Sequence, residues 1–391
     1  MFEKLNRIAI KLYSGCNMNC SYCFQKYSDK YSPKEFQDYE SLYTFLKSCE
    51  IEENVIVTFC GGEMTLRPDL IIECQNKVFK KLERQFDVKF EYAIISNGTN
   101  IDIMFDLFDK RILNHKCCNV SWDGLYSSSL SRHTSEQFSD DYFKNVIVKI
   151  GSSDYNDLTI VHSLNPSTID YLFDSFKFII DNGCKSFGYY PIHEANYTTD
   201  FCKKFENELI KIYQYIIDIR YESNFYNLLM MNYKQDENYF TCTKLGHNYY
   251  INPQGNIYPC IYLGDHNAYC LGNIKTGVNK ELQNKFINDY LIYPDCDYEK
   301  CKCKVCGECN AACYVNNGNL NKKFKNLCEI RAIEQRVYDR FKDLLIPIFK
   351  RSLKEEDVIK NAQELLFKKC DLEIVSNISK QPHIEELRNW K

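Results

Sequence analysis

No stretch of this 391-residue chain reaches the roughly eighteen consecutive apolar residues of a membrane span. The opening residues, MFEKLNRIAIKL, hold too short an apolar segment for a secretion signal and no small-residue cleavage site. An excess of positive charge is lacking too. The net charge is −4 and the pI about 6.1, which speaks against a nucleic-acid partner held on a broad basic surface. The seven histidines are scattered without metal-ligand pairing. These lacks point to a cytoplasmic chain with no membrane and no nucleic-acid partner.

What the chain has in excess is cysteine. It has 21, an odd number, and Cys296, Cys301, Cys303, Cys306, Cys309 and Cys313 crowd into one short stretch. A secreted disulfide scaffold would be short and would carry a signal. A reduced, cytoplasmic metalloprotein accounts better for so many thiols. Cys49, Cys74, Cys117, Cys118, Cys184, Cys202 and Cys370 sit in apolar or helical surroundings and read as buried spectators.

One cysteine group organises the rest. Cys16, Cys20 and Cys23 follow the apolar run that starts at Ile8, in the order Cys-Asn-Met-Asn-Cys-Ser-Tyr-Cys. Thiolate is the soft ligand that iron–sulfur clusters take. Three thiolates on a four-iron cubane leave one iron without a protein ligand. An open metal position is a place to bind a small molecule, so this loop reads as a catalytic cluster site.

With 45% hydrophobic residues, the chain can build sizeable cores, and its length fits about two to three domains. Short β-branched or aromatic runs at 7–12, 54–59, 88–95, 117–122, 158–163 and 186–190 read as strands. Helical stretches at 33–48, 68–84, 101–108 and 167–182 lie between them, with Pro33 and Pro68 where a first turn tolerates proline. Six strand–helix units predict an α/β fold with a parallel sheet, a partial (β/α)6 barrel of the TIM type whose functional loops sit at the strands' carboxyl ends. Those ends hold Cys60-Gly61-Gly62-Glu63, Ser96-Asn97-Gly98-Thr99 and Ser121-Trp122-Asp123-Gly124. A further helix at 200–221 carries Phe205, Leu209, Ile212, Ile216 and Ile219 at packing spacing, and 226–239 reads as a linker.

Together, Cys-x3-Cys-x-aromatic-Cys after the first strand, Gly-Gly-Glu after the second and Ser-x-Asp-Gly after the fourth resemble the radical S-adenosylmethionine enzymes. The resemblance covers about residues 5–200. It implies a 4Fe–4S cluster on Cys16, Cys20 and Cys23 whose open iron is chelated by S-adenosylmethionine. It places Tyr22 near the adenine and Gly61, Gly62 and Glu63 at the methionine end. It sets Ser121, Asp123 and Ser163 near the ribose or carboxylate.

A second group follows. Cys242, Gly255 and Cys260, then Cys303, Cys309, Cys313 and Cys328, resemble the SPASM extension of that family, a small cysteine-rich domain with two auxiliary 4Fe–4S clusters. The pattern expects a cysteine where Lys300 stands, which leaves one ligand open between Cys301 and Cys306. By the family's crossed order, Cys242, Cys260 and Cys313 serve the first auxiliary cluster. Its fourth ligand is open between Cys270, another group and a substrate thiolate. Taken alone, the pairs 303/306 and 306/309 suit zinc equally. A hairpin is expected around the Asn252-Pro-Gln-Gly255 turn and a helix near 280–290. The resulting organisation is a barrel over 1–225, an auxiliary-cluster domain over 226–330 and a helical segment over 331–391, two helices split near Pro347 and Ser352 with a solvated charged face.

The resemblance implies an oxidoreductase that generates a 5′-deoxyadenosyl radical to abstract hydrogen from a ribosomally made peptide, forming a thioether or carbon–carbon crosslink. Auxiliary clusters take up the electron, and an external donor such as flavodoxin or ferredoxin supplies it. Two other readings stand beside it: oxidation of a Cys or Ser in a sulfatase, and a multi-cluster electron carrier with no substrate. Sulfatase-maturing relatives place an Asp where Ile261 stands, which favours peptide crosslinking. Little chain precedes the cysteine loop, so a leader peptide is expected to be bound by a separate protein or by the barrel. No residue is assigned to the catalytic proton.

Overall fold

The structure, a computed structural model, describes residues 4–23, 25, 33–114, 118–132, 136–192, 195–219, 224–225, 248–264, 266–291 and 325–352. All six expected strands are present: β1 (Leu5–Tyr13), β2 (Ile51–Gly61), β3 (Lys89–Ser96), β4 (Asn119–Ser121), β5 (Thr159–Leu164) and β6 (Ser186–Pro191). They lie side by side in chain order and every pairing is parallel. β7 (Asn224–Phe225) adds to the β6 edge. Burial alternates along β2, with Val55, Val57 and Phe59 in the core and Ile56 and Thr58 only partly covered. This is the period-two signature of a sheet that packs helices on one face and keeps the other for a more open interior.

The sheet does not close into a barrel. The free edge of β1 is taken by β8 (Asn248–Ile251), again parallel, with Ala9 opposite Tyr250. The expected hairpin follows, as β8 pairs antiparallel with β9 (Asn256–Tyr258), then β10 (Gly272–Asn273) and β11 (Gly277–Val278). Among the described residues the result is one open eleven-stranded sheet. The hairpin is thus an extension of the same sheet.

Helices form where apolar residues recur at helical spacing. α1 (Tyr39–Lys47) buries Leu42, Phe45 and Leu46. The expected helical start at Pro33 is not found. Ser14 N–H donates to the Lys34 carbonyl at 3.0 Å and Phe36 N–H to the Leu12 carbonyl at 2.8 Å, which keeps this segment extended beside β1. Asp38 then caps the helix by accepting from Ser41 N–H. α2 (Pro68–Cys74) does start on its proline and continues through a π-helical turn into α3 (Lys80–Glu83). α4 (Ile101–Asp109) falls where expected.

The fourth strand–helix unit, whose helix bounds are not marked in the sequence, holds two helices: the short α5 (Ser127–Leu130) and α6 (Asp140–Gly151). The β-branched run within α6 reads locally as strand, but Ser139 caps its start and Phe143, Val146, Ile147 and Ile150 share one buried face. α7 (Leu172–Asp181) and α8 (Thr199–Asp218) complete the layer. In α8 the expected stripe is buried, except that Ile219 lies past the helix end and is 43% exposed.

The Lys280–Leu291 helix appears as expected. The helix Lys325–Ser352 runs unbroken through Pro347, where a split was expected. A proline removes one hydrogen bond, and a well-packed helix can tolerate that. Ile330, Ile333, Val337, Phe341 and Leu345 are buried, and Phe341 meets Tyr213 of α8 edge to face. Its inner face is therefore apolar apart from Glu334, which is buried and accepts from Arg331 at 2.5 Å. Among the described residues no helix is long and apolar enough to cross a membrane.

Candidate iron–sulfur and cofactor site

The parallel register brings the carboxyl ends of β1 to β5 to one edge of the sheet, and the three-cysteine loop after β1 contacts the ends of β2, β3 and β4. Its start is seated on the glycine pair after β2. Gly62 N–H donates to the Tyr13 carbonyl at 3.1 Å, and Glu63 N–H to the Gly15 carbonyl at 2.8 Å. A Cβ on Gly62 would stand 1.9 Å from the Gly15 oxygen, so the two backbones could not approach this closely with any other residue. Gly61 has φ +135°, and a Cβ there would meet the Tyr13 carbonyl at 2.6 Å. The pair thus serves first to dock the cysteine loop.

The loop is then tied down along its length. Asn17 Nδ2 donates to Thr99 Oγ1 at 2.9 Å and Asn97 Nδ2 to Asn17 Oδ1 at 2.9 Å. Asn97 Nδ2 also lies 3.6 Å from Cys16 Sγ, within reach of a hydrogen bond to sulfur. Ser21 N–H donates to the Ser131 carbonyl at 2.8 Å. The Tyr22 hydroxyl donates to Asp123 Oδ2. Arg132, which is 1% exposed, donates to the carbonyls of Ser121 and Asn97 at 2.8 Å each and to Met18 Sδ at 3.3 Å. Its charge also acts on Cys20.

Cys16, Cys20 and Cys23 are half-buried, and none of the described cysteines is in a disulfide. Burial pushes the Cys16 thiol up, opposed by N–H groups of Met18 and Asn97. Burial pushes Cys20 up to about 11, with Arg132 opposing and Asp123 and the other two thiols adding to the rise. These are the directions for metal-free thiols. Iron ligation would deprotonate them, and the Arg132 charge and directed N–H groups favour the thiolate form that a cluster requires. Among the described residues no three His, Cys, Asp or Glu side chains converge tightly enough for a single metal ion. A cubane asks for less convergence, because each thiolate binds a different iron. Three neighbouring thiols with charge-stabilising donors fit such a cluster.

The carboxylates are already engaged. Glu63 is fully buried; its Oε1 accepts from Thr65 N–H at 2.9 Å, Thr65 Oγ1 at 2.6 Å and Ser96 Oγ at 3.1 Å, and its Oε2 from Asn97 N–H at 2.5 Å. Burial pushes this carboxyl up while those bonds oppose the rise. Asp123, also fully buried, accepts from Tyr22, from Ser131 Oγ at 3.2 Å and from Ser163 N–H at 3.2 Å. Both acids therefore join neighbouring strand ends.

Gly61, Gly62, Glu63, Ser121, Asp123 and Ser163 thus all lie at the ends of β2, β4 and β5, and Tyr22 joins them from within the cysteine loop through Asp123. Of the second cysteine group, Cys260 follows β9 and Cys328 lies in the first turn of the Lys325–Ser352 helix, both half-buried. Cys270 and Ile261 pack on a small buried group of Cys60, Tyr250 and Tyr258. Cys242, Cys301, Cys303, Cys306, Cys309 and Cys313, with the linker at 226–239 and the chain beyond 352, lie outside the described residues. Of the expected spectators, Cys74, Cys118, Cys184 and Cys202 are buried and Cys49 is half-buried. Cys117 and Cys370 lie outside the described residues.

Two residues of this site escaped the sequence reading. Asn97 stands in a noted turn, but its contacts to the loop carry no local signal. Arg132 follows α5 in a polar stretch with nothing to mark it. A lone arginine in such a stretch becomes legible only once it is found buried.

Residues 10–120 match the family model described as the Radical SAM superfamily. The chain is similar to the radical SAM cyclopropyl synthase TigE of Paramaledivibacter caminithermalis, 24% identical over 364 residues that cover 83% of this chain and 70% of that protein. It is similar to the cysteine-type anaerobic sulfatase-maturating enzyme of Clostridium novyi, 26% identical over 339 residues, 78% of this chain and 86% of that one. Among solved structures, native anSMEcpe with bound AdoMet and Cp18Cys peptide shares the fold. The TM-score is 0.66 at 18% identity, over 88% of this chain and 99% of that one.

Proposed function

We propose, from the premise that residues 10–120 carry the radical SAM segment, that the protein is a peptide-modifying enzyme which forms a thioether or carbon–carbon crosslink in a ribosomally made peptide. The observation that carries the proposal is the cysteine loop, three neighbouring thiols seated on the glycine turn and tied to the ends of β3 and β4. The family implies S-adenosylmethionine and a 4Fe–4S cluster, which when bound supply the radical that abstracts a substrate hydrogen. In this reading Cys16, Cys20 and Cys23 hold the cluster. The carbonyls of Gly61 and Gly62 accept from the cofactor's ammonium group, with Glu63 behind them fixing the turn. Tyr22, Ser121, Asp123 and Ser163 shape the ribose and adenine side. The chain's own part is to hold cofactor and target C–H in contact and to keep water out.

The second cysteine group supports a further assignment in the same reading. Cys242, Cys260, Cys303, Cys309, Cys313 and Cys328, with Cys301 or Cys306, would hold two auxiliary clusters that take up the electron. Cys270 is a candidate fourth ligand of the first. The partners are a peptide, an external electron donor in the cytoplasm and, where the barrel does not recognise the leader, a separate leader-binding protein.

Sulfatase-type oxidation is the second reading, favoured by the similarity to the C. novyi protein. Against it stands Ile261, where those relatives carry an acid. It packs on Cys60, Tyr250 and Tyr258, and Cys60, its thiol pushed up to about 12 by burial, is a poor proton acceptor.

The test is anaerobic incubation of the reconstituted protein with S-adenosylmethionine, dithionite and the short peptides encoded beside its gene. Cofactor cleavage to methionine and 5′-deoxyadenosine, with loss of two hydrogens from a peptide, is expected. No cleavage with any peptide would favour the electron carrier instead. Conversion of a sulfatase-derived Cys peptide to the aldehyde, with no crosslinking, would favour the second reading.

A further inference from the structure

We propose that Asn97 is a positioning residue for the core cluster, its side-chain amide donating an N–H to Cys16 Sγ and thereby raising that cluster's reduction potential. This rests on the reading that Cys16, Cys20 and Cys23 hold the cluster, and it goes beyond that reading by naming what sets the cluster's energy.

The orientation of the amide is fixed by its own partners. Asn97 Oδ1 accepts from Thr99 N–H at 2.9 Å and from Thr99 Oγ1 at 2.7 Å, while Nδ2 donates to Asn17 Oδ1 at 2.9 Å. A flipped amide would turn its oxygen toward the Cys16 sulfur and the Asn17 oxygen, and its NH2 toward the Thr99 donors. The contacts to Thr99 N–H and Asn17 Oδ1 would then be repulsive and the donor to sulfur lost, with only the Thr99 hydroxyl able to adapt by accepting, so the orientation shown is the favoured one. Asn17 Nδ2 donates in turn to Thr99 Oγ1 at 2.9 Å, which closes a ring of three polar side chains behind the sulfur.

The backbone of Asn97 is held as firmly. Its N–H donates to Glu63 Oε2 at 2.5 Å and its carbonyl accepts from Arg132 at 2.8 Å. With its backbone held on both sides and its side-chain oxygen held by Thr99, the amide is kept facing the sulfur. The sulfur it faces belongs to a half-buried residue, where a protein dipole replaces much of the water that would otherwise solvate the thiolate.

The direction of the effect follows from charge. A reduced cluster carries one more negative charge than the oxidised one and spreads it over its sulfur ligands. An N–H aimed at a ligand sulfur stabilises the reduced form more, and the potential rises.

The experiment uses the full chain, reconstituted anaerobically with iron and sulfide, and redox titrations followed by electron paramagnetic resonance. The core cluster is identified as the signal that changes on addition of S-adenosylmethionine. In Asn97→Ala this signal is expected to persist with the same iron content. At fixed poise the reduced fraction should fall about tenfold relative to oxidised, a shift of about 59 mV for one electron. Thr99→Val keeps the amide but loosens its orientation, and should shift the potential the same way by less. An unmoved potential in both variants overturns the proposal. So does loss of the signal in a folded Asn97→Ala protein together with an unmoved potential in Thr99→Val, which would make Asn97 purely structural. Failure of the underlying reading looks different: the wild type shows no cofactor-responsive cluster, or Cys16→Ala retains it.

Discussion

The phenol of Tyr22 donates its hydrogen to Asp123 across 101 residues of sequence, fastening the far end of the cysteine loop to the end of β4. Asp123 is fully buried and has two further donors, Ser131 Oγ and Ser163 N–H, each at 3.2 Å. Tyr22→Phe removes one donor from a buried carboxylate and leaves the ring in place. A hydrogen bond to a charged group is worth about 1.5–3 kcal/mol, so a loss of that size is expected in denaturant unfolding of the metal-free protein. Loosening of the loop should also speed removal of reconstituted iron by a chelator. An unchanged chelation rate would show that the loop does not depend on this bond.

Gly62→Ala should act on the same loop from its other end. The new methyl would stand 1.9 Å from the Gly15 oxygen and 2.7 Å from that of Ser14, both backbone atoms. Relief requires the cysteine loop to lift from the β2 turn, breaking the Gly62 and Glu63 N–H bonds to Tyr13 and Gly15. The expected result is a loss of about 1–3 kcal/mol of stability and a marked fall in iron bound per chain after reconstitution. Thermal unfolding and iron analysis check the two halves separately.

A third prediction concerns acid. His162 on β5 is 2% exposed, and neither ring nitrogen has a hydrogen-bond partner among the described residues. Burial holds its pKa down at about 4 against an ordinary 6.5, with Asp123 pulling up and Arg132 pulling down. The folded state therefore keeps this imidazole neutral where the unfolded chain would take up a proton. The stability it contributes is complete above about pH 6.5 and is lost as pH falls toward 4, by up to about 3 kcal/mol. His162→Phe, packed like the native ring against Phe176, should flatten stability across that window and cost little at pH 7. Unfolding curves at a series of pH values between 4 and 8 decide it. An equal slope in wild type and variant would assign the acid sensitivity elsewhere.

Strands β1 to β6 were legible because their alternation of β-branched and aromatic residues is local, and the three-cysteine spacing was legible for the same reason. Elements whose local signals conflict were not. Residues 33–38 carry a helical proline signal, yet hydrogen bonds to β1 hold them extended. The β-branched run in α6 suggests a strand, yet its buried face makes it a helix. The hairpin at 248–258 was visible as a hairpin, but its place on the β1 edge was not, since pairing between distant strands leaves no mark in either.

The candidate site divides in the same way. The chain alone determined that three thiols stand close in sequence after a strand, with glycines and acids ending the strands beside it. Only the tertiary structure decided what those groups do to one another. It made the glycine pair a seat for the loop, turned Glu63 and Asp123 into internal acceptors, and brought Asn97 and Arg132 to the sulfur loop. The physical reason is distance along the chain. Asn97 reaches Cys16 from 81 residues away and Arg132 reaches Met18 from 114, and only the parallel register of the sheet brings such groups together. The loop's composition is thus written locally, while the hydrogen bonds and charge around its sulfurs come from strand ends far along the chain.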